Sequence, residues 1–312
     1  MLKTIIYTSM FALLLLVSCK TNTNVEDNQK PTVVTTTGMV KDAVLNLVGD
    51  AMEVEALMGA GVDPHLYQAS PGDLSKLNKA DVIVFNGLFL EGKLHSILEK
   101  LAQKKKVVNF SSAINTADLI EVTEKQYEDE IYDPHIWFDI DVWKQGINGL
   151  ANQLSEFYPS VAPKIEENKT VYFKSLDSLK NELVKKMNQI PVENRILVTS
   201  HDAFHYYGRM LDVRVEALQG LSTATDFGLK DRKELVDLII AENVKAIFIE
   251  SSVGDKPIKA ILADCSSKGS DVALGGTLFS DAMGAEGTFE GTYIGMLTHN
   301  TNTIVAGLNN NE

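Results

Sequence analysis

From Val33 the chain alternates two patterns. Short runs rich in β-branched residues, VVTTTG (33–38), MEVEALM (52–58), DVIVFNG (81–87) and KVVNF (106–110), are separated by stretches in which apolar residues recur every three or four positions. Those stretches are MVKDAVLNLVGD (39–50), PGDLSKLNKA (71–80) and LHSILEKLAQ (94–103). Apolar runs of this length read as strands and the periodic stretches as crossover helices, the pattern of parallel β-α-β units with right-handed connections. A second series follows Pro191. Its strands are RILVTS (195–200), VRVEAL (213–218), KAIFIES (245–251) and VALGG (272–276). Its helices are HDAFHYYGRML (201–211), DRKELVDLIIAENV (231–244), KPIKAILADCSSKG (256–269) and a closing one from about Glu286 to Leu308. The pattern predicts an α/β chain of two lobes, each with a parallel sheet flanked by helices.

The connection between the series has no strand pattern. Apolar residues recur at Ile147, Leu150, Leu154, Phe157, Val161 and Ile165, then at Tyr172, Phe173, Leu176, Leu179, Leu183 and Met187, spacings that mark one buried helix face. Pro159 and Pro163 interrupt the first run, and Pro163 suits the opening position of the second helix. At ~1.5 Å per residue a helix from there to Met187 is about 37 Å long, enough to run along both lobes as a rigid backbone. The expected organisation is a first lobe over 32–145, a linking long helix over 146–190 and a second lobe over 191–312.

The first 31 residues stand outside that pattern. MLKTIIYTSMFALLLLVSCK has one early lysine and an apolar run from Met10 to Val17, too short to span a bilayer and suited to a secretory signal over residues 1–18. Leu16-Val17-Ser18-Cys19 resembles a bacterial lipobox, which implies cleavage before Cys19 and lipid on its sulfur. An uncleaved anchor helix fits less well, because the following KTNTNVEDNQKPT is polar and reads as a flexible tether over 19–31. These features predict an exported chain, lipid-anchored in the periplasm or on the outer face of the cytoplasmic membrane. With Cys19 carrying lipid, Cys265 is the other of two cysteines, which excludes an intramolecular disulfide and a cysteine-based metal site. Its default reading is a packed structural thiol. The formal charge is -13, and loss of Lys3, the one charged residue of the signal, makes it -14. So acidic a body argues against nucleic acid or anionic lipid as a partner and suits attraction of cations.

Candidate chemistry lies in a repeated tripeptide. Asp63-Pro64-His65 and Asp133-Pro134-His135 each place a histidine directly after a proline, which fixes local backbone geometry. His65 follows the strand at 52–58, and His201 follows the strand at 195–200, so both lie where open α/β sheets build ligand sites. His135 stands just before the long helical link, and Asp281 follows the last strand after a short loop. Three imidazoles and one carboxylate form a donor set suited to a divalent transition metal. The bland readings differ by position. His201 at a helix start and Asp281 in a loop could equally be caps, whereas the repeat makes coordination the better reading for His65 and His135. Asp139, Asp202 and Glu250 are the acidic neighbours placed to orient those histidines. Trp137 and Phe138 are placed to bury the edge of His135. His205, one helical turn after His201, reads as a bystander with at most an outer role, and His95 and His299 read as surface or packing residues.

GVDPHLY, DPHIWFD, TSHDAFHYYGR, LQGLSTATD, IFIESS and GGTLFSDAMG followed by GTYIGMLTHN resemble, in order and spacing, the metal-binding lipoproteins of bacterial zinc, manganese and iron ABC transporters. The resemblance spans nearly the whole mature chain and is nearest to the TroA type. It implies a bilobal α/β fold with a backbone helix and one ion, Zn2+ or Mn2+, held between the lobes. Carried over position by position, the family's ligands fall on His65, His135, His201 and Asp281. It also implies a monomeric receptor delivering its ion to an ABC permease membrane subunit with a separate ATPase. Family members with glutamate at the third ligand position are associated with manganese; this chain has His201. Zinc-specific members often carry a histidine-rich loop before the second histidine, whereas DLIEVTEKQYEDEIYDPH here is acidic. Imidazole donors favour zinc. Two other function classes compete: a zinc hydrolase, which needs an open coordination position, and an adhesin-type lipoprotein with a structural metal, which predicts unfolding on metal removal.

Overall fold

The computed structural model describes residues 30–122, 131–224 and 226–309. The signal over 1–18, Cys19 and most of the expected tether lie outside the described residues, as do positions 123–130 of the acidic stretch before His135.

The first series folds as β1 (Thr32–Thr35), α1 (Gly38–Val48), β2 (Glu53–Ala56), α2 (Pro71–Lys79), β3 (Val82–Phe85), α3 (His95–Ala102) and β4 (Lys106–Asn109). Its strands form one parallel sheet in the order β2-β1-β3-β4. Side-chain caps set the helix starts. Thr37 accepts from the Val40 amide, and Ser70 with Asp73 forms a capping box ahead of Pro71; both satisfy amides that the helix leaves unpaired.

The link is two helices, α4 (Ile140–Phe157) and α5 (Ala162–Met187). Asp139 caps α4 by accepting from the amides of Asp141 and Val142, so that helix begins before the expected link at 146. Pro163 lies in the first turn of α5.

The second series folds as β5 (Ile196–His201), α6 (His205–Leu211), β6 (Arg214–Gln219), α7 (Leu229–Ala241), β7 (Ala246–Glu250), α8 (Lys256–Ser267), β8 (Ala273–Leu278) and α9 (Tyr293–Leu308). Its strands pair in parallel as β5–β6 and β7–β8, with β5 packed beside β7. Two boundaries differ from the sequence pattern. The helix expected from His201 begins at His205, because β5 continues through His201. The closing helix begins at Tyr293 rather than Glu286, because Gly287 adopts a positive φ of 81° that breaks the helical path, and Thr292 caps the true start at the Gly295 amide.

Residues Pro31–Glu312 form one compact unit. A single apolar cluster runs from Val33 through the α4 and α5 faces (Ile147, Leu154, Leu176, Leu183) to Phe204, Tyr293 and Leu308. Separate smaller clusters sit under α7 and α8, with Cys265 among them, and under α2 and α3. Each fully buried apolar side chain contributes ~1.5–3 kcal/mol relative to exposure, so the shared cluster binds lobe to lobe as well as helix to sheet.

Candidate metal centre

The repeated tripeptide builds the same turn twice. Asp63 Oδ1 accepts from the amides of His65 (2.8 Å) and Leu66 (3.3 Å), and Asp133 Oδ1 accepts from the amide of His135 (2.9 Å). An aspartate bonded to its own backbone two residues on is an Asx turn; with proline between, it leaves the histidine little freedom. The carboxylates then diverge. Asp63 turns its second oxygen to the Thr223 hydroxyl (2.5 Å) of the other lobe, whereas Asp133 Oδ1 also lies 2.7 Å from His135 Nδ1.

The second lobe supplies the rest. His201 ends β5, and its amide and that of Ser200 donate to Glu250 Oε1 (2.9 and 2.8 Å) at the end of β7. Glu250 Oε2 closely contacts His201 Nδ1. Asp281 follows β8 in a loop tied to the first lobe by the Trp137 indole, which donates to the Ser280 carbonyl at 3.1 Å.

All four predicted residues converge, each offering one donor atom within 4.8 Å of the others, and all are buried. His65 Nε2 lies 3.4 Å from His135 Nε2 and 3.6 Å from Asp281 Oδ2. Asp281 also lies 3.4 Å from His135 Nε2 and 3.2 Å from His201 Nε2. A zinc ion about 2.0–2.1 Å from each of four tetrahedral ligands sets them about 3.3–3.4 Å apart, close to these four separations, in which Asp281 uses both of its oxygens. Both Asp281 oxygens and His201 Nε2 lack a hydrogen-bond partner among the described residues, an expensive arrangement for buried polar atoms unless they serve a ligand. Capping is thereby excluded for His201 and Asp281: Phe204 stands at the α6 N-cap, and no amide donates to Asp281. His65 is the residue of the four nearest solvent, beside a cavity of ≈ 190 Å³ that Phe89, Lys93 and Ser222 help to line.

Burial pushes His65 down to about 3, so its imidazole is neutral and ready to donate. Burial also pushes on His135, but the Asp133 carboxylate outweighs it and holds the ring up at about 9. His201 is likewise raised, Asp281 and Glu250 overcoming desolvation, and Asp281 is held below the ordinary carboxylate range by those two imidazoles despite its burial.

The acidic neighbours differ in part from expectation. Glu250 orients His201 as anticipated. Asp139 does not reach His135: it caps α4 and pairs with Arg209 Nη2 at 2.9 Å. Asp202 faces His205 Nε2 at 3.0 Å rather than a donor histidine. The partner of His135 is Asp133, whose signal was its place two residues before the histidine. His95 lies 3.4 Å from Glu99, His299 Nε2 meets the Thr277 carbonyl at 3.0 Å, and Cys265 is a buried free thiol.

Residues 33–307 match the family described as ZnuA, zinc-uptake complex component A, periplasmic. The chain is 42% identical to the manganese-binding lipoprotein MntA of Bacillus subtilis (strain 168), covering 96% of this chain and 97% of that one. It is 41% identical to the zinc-binding protein TroA of Treponema pallidum (strain Nichols), over 89% of each. The solved structure of the periplasmic zinc-binding protein TroA from that organism superposes with a TM-score of 0.86, covering 89% of this chain and 99% of that one. With almost its whole folded length matched, and the four donor side chains brought together between two α/β lobes, this chain belongs to the ZnuA family of metal-binding transport proteins.

Proposed function

We propose that the protein is an extracytoplasmic receptor that captures one divalent transition metal ion between its lobes and delivers it to an ABC permease with a separate ATPase. The observation that carries this reading is the convergence of three imidazole nitrogens and an unpartnered carboxylate in a buried site. Its ligands are His65, His135, His201 and Asp281. Residues 32–145 and 191–312 act as the two jaws, and 146–190 as the strut. Zinc is the favoured cargo, because three imidazole donors suit it, whereas manganese prefers oxygen-rich, octahedral surroundings. Manganese is the second reading, favoured by the named ligand of the Bacillus relative.

Four protein donors leave no open position, which suits binding rather than water activation. Residues 1–18 act as an export signal and 19–31 as a tether lipidated at Cys19, so the monomeric receptor works at the outer side of a membrane; the family's lipoprotein members support this reading. No helix among the described residues is long and apolar enough to cross a membrane. Metal analysis of the full chain, followed by competitive zinc and manganese titration after stripping, tests the proposal. One ion per chain is expected, lost in His65→Ala and Asp281→Ala. Binding indifferent to both substitutions would overturn it.

A further inference from the structure

We infer that His205 is a positioning residue of this centre: it holds the buried Asp133 carboxylate from the second lobe and through it orients the ligand His135. The inference rests on the receptor reading and deepens it.

Asp133 is fully buried. Its Oδ1 serves the amide and Nδ1 of His135, and its Oδ2 lies 3.2 Å from Nδ1 of His205, the first residue of α6. The next residue, Tyr206, donates its hydroxyl to the Asp133 carbonyl at 3.1 Å. The opening turn of α6 thus grips Asp133 at both its side chain and its backbone, from the opposite lobe. The other ring nitrogen, His205 Nε2, lies 3.0 Å from Asp202 Oδ1, beside the ligand His201. One half-buried ring thus bonds the carboxylate behind His135 across the lobes, while its other nitrogen faces Asp202 Oδ1 without a hydrogen bond to it.

A solvated helix-start histidine with no further role is the bland alternative. It accounts poorly for both ring nitrogens facing carboxylates, one of them wholly buried. The hydrogen bond to Asp133 also holds the His205 imidazole above its ordinary pKa, consistent with a donor on that side. Without that donor, Asp133 Oδ2 is left short of a partner, the carboxylate is free to turn, and the hydrogen bond that fixes the His135 tautomer and ring angle changes. Loss of an outer partner of a ligating histidine typically weakens metal binding 10- to 100-fold.

The test compares two substitutions in the full chain kept in detergent. His205→Leu keeps apolar bulk but donates nothing; His205→Gln keeps an N–H aimed at Asp133. Zinc affinity is measured by competition with a chromophoric chelator, and ligand geometry by the visible absorption of the cobalt(II)-loaded protein. The Leu variant is expected to bind zinc about 10- to 100-fold more weakly and to shift the cobalt bands, and the Gln variant to recover most of both. Wild-type affinity and bands in the Leu variant, or a Gln variant as impaired as Leu, would overturn the role. A wild-type chain that takes up neither ion would instead overturn the receptor reading, and this inference with it.

Discussion

At the centre, protons stand in for the metal. Asp133, Glu250 and Asp281 bring three carboxylates to a buried site, and in the ion-free protein two imidazoles raised in pKa, His135 and His201, balance part of that charge. One dication supplies the same compensation as those two protons, so exchange leaves the site's charge unchanged and the metal-free form needs no rearrangement of charge to stay folded. The sign follows. His135 rises from 6.5 to about 9, so near neutral pH its ring holds a proton that ligation must expel; His201 shifts the same way, whereas His65, lowered to about 3, has none to lose. Metal binding near pH 7 is therefore expected to release about two protons, with affinity falling as pH drops below about 9, where His135 takes up its proton. Calorimetry in buffers of different ionisation enthalpy measures this directly, and uptake without proton release would contradict it. The four converging residues were legible in the sequence because each follows a strand or Asp-Pro, a constraint visible in one dimension. Asp133 was passed over for Asp139, since the same turn that presents His135 also folds the preceding aspartate back onto its ring, a contact that spacing along a helix or strand does not express.

At the level of elements, periodicity identified the helices and strands but misplaced starts governed by short-range chemistry. The α5 face was plain because Tyr172, Leu176, Leu179, Leu183 and Met187 repeat at three- and four-residue spacing over about four turns. The onset of α9 was not, because the hydroxyl of Thr292 and the positive φ of Gly287 decide it. Glycine within α4 marks a different limit. On propensity alone, Gly146→Ala stabilises a helix interior by ~1 kcal/mol. Here an added Cβ would stand 2.1 Å from Phe110 Cε1, in the turn that follows β4. That ring is also packed 4.2 Å from Trp143, centroid to centroid, and has little room to retreat. The substitution is therefore expected to destabilise the protein by ~1–3 kcal/mol, the usual cost of overpacking, read as a lower urea midpoint with unchanged slope. A more stable variant would mean that Phe110 repacks freely and that α4 is not closely seated on the first lobe.

For the whole molecule, the question is whether the ion holds the lobes together or is merely held by them. The lobes are joined by two packed helices and one continuous apolar cluster rather than by a pair of strands. Contacts near the centre add to that union. Tyr293 on α9 stacks on Trp143 of α4 at 5.5 Å and donates its hydroxyl to the Trp137 carbonyl at 2.8 Å, while the Trp137 indole reaches back to Ser280 beside Asp281. None of these contacts requires an ion. An adhesin-type protein with a structural metal would need the ion for its fold, as small zinc modules do; this molecule has a core large enough to fold without one. Chelation is therefore expected to leave the circular dichroism spectrum and a cooperative melt intact. Free zinc at about 100 times its dissociation constant should add about 2.7 kcal/mol by mass action, raising the melting temperature by roughly 4–5 °C for a chain of this size. A chelated protein that has lost its cooperative transition would assign the ion a structural task, and the capture-and-release cycle would fall with it, because a receptor that unfolds on delivery has no empty state to reload.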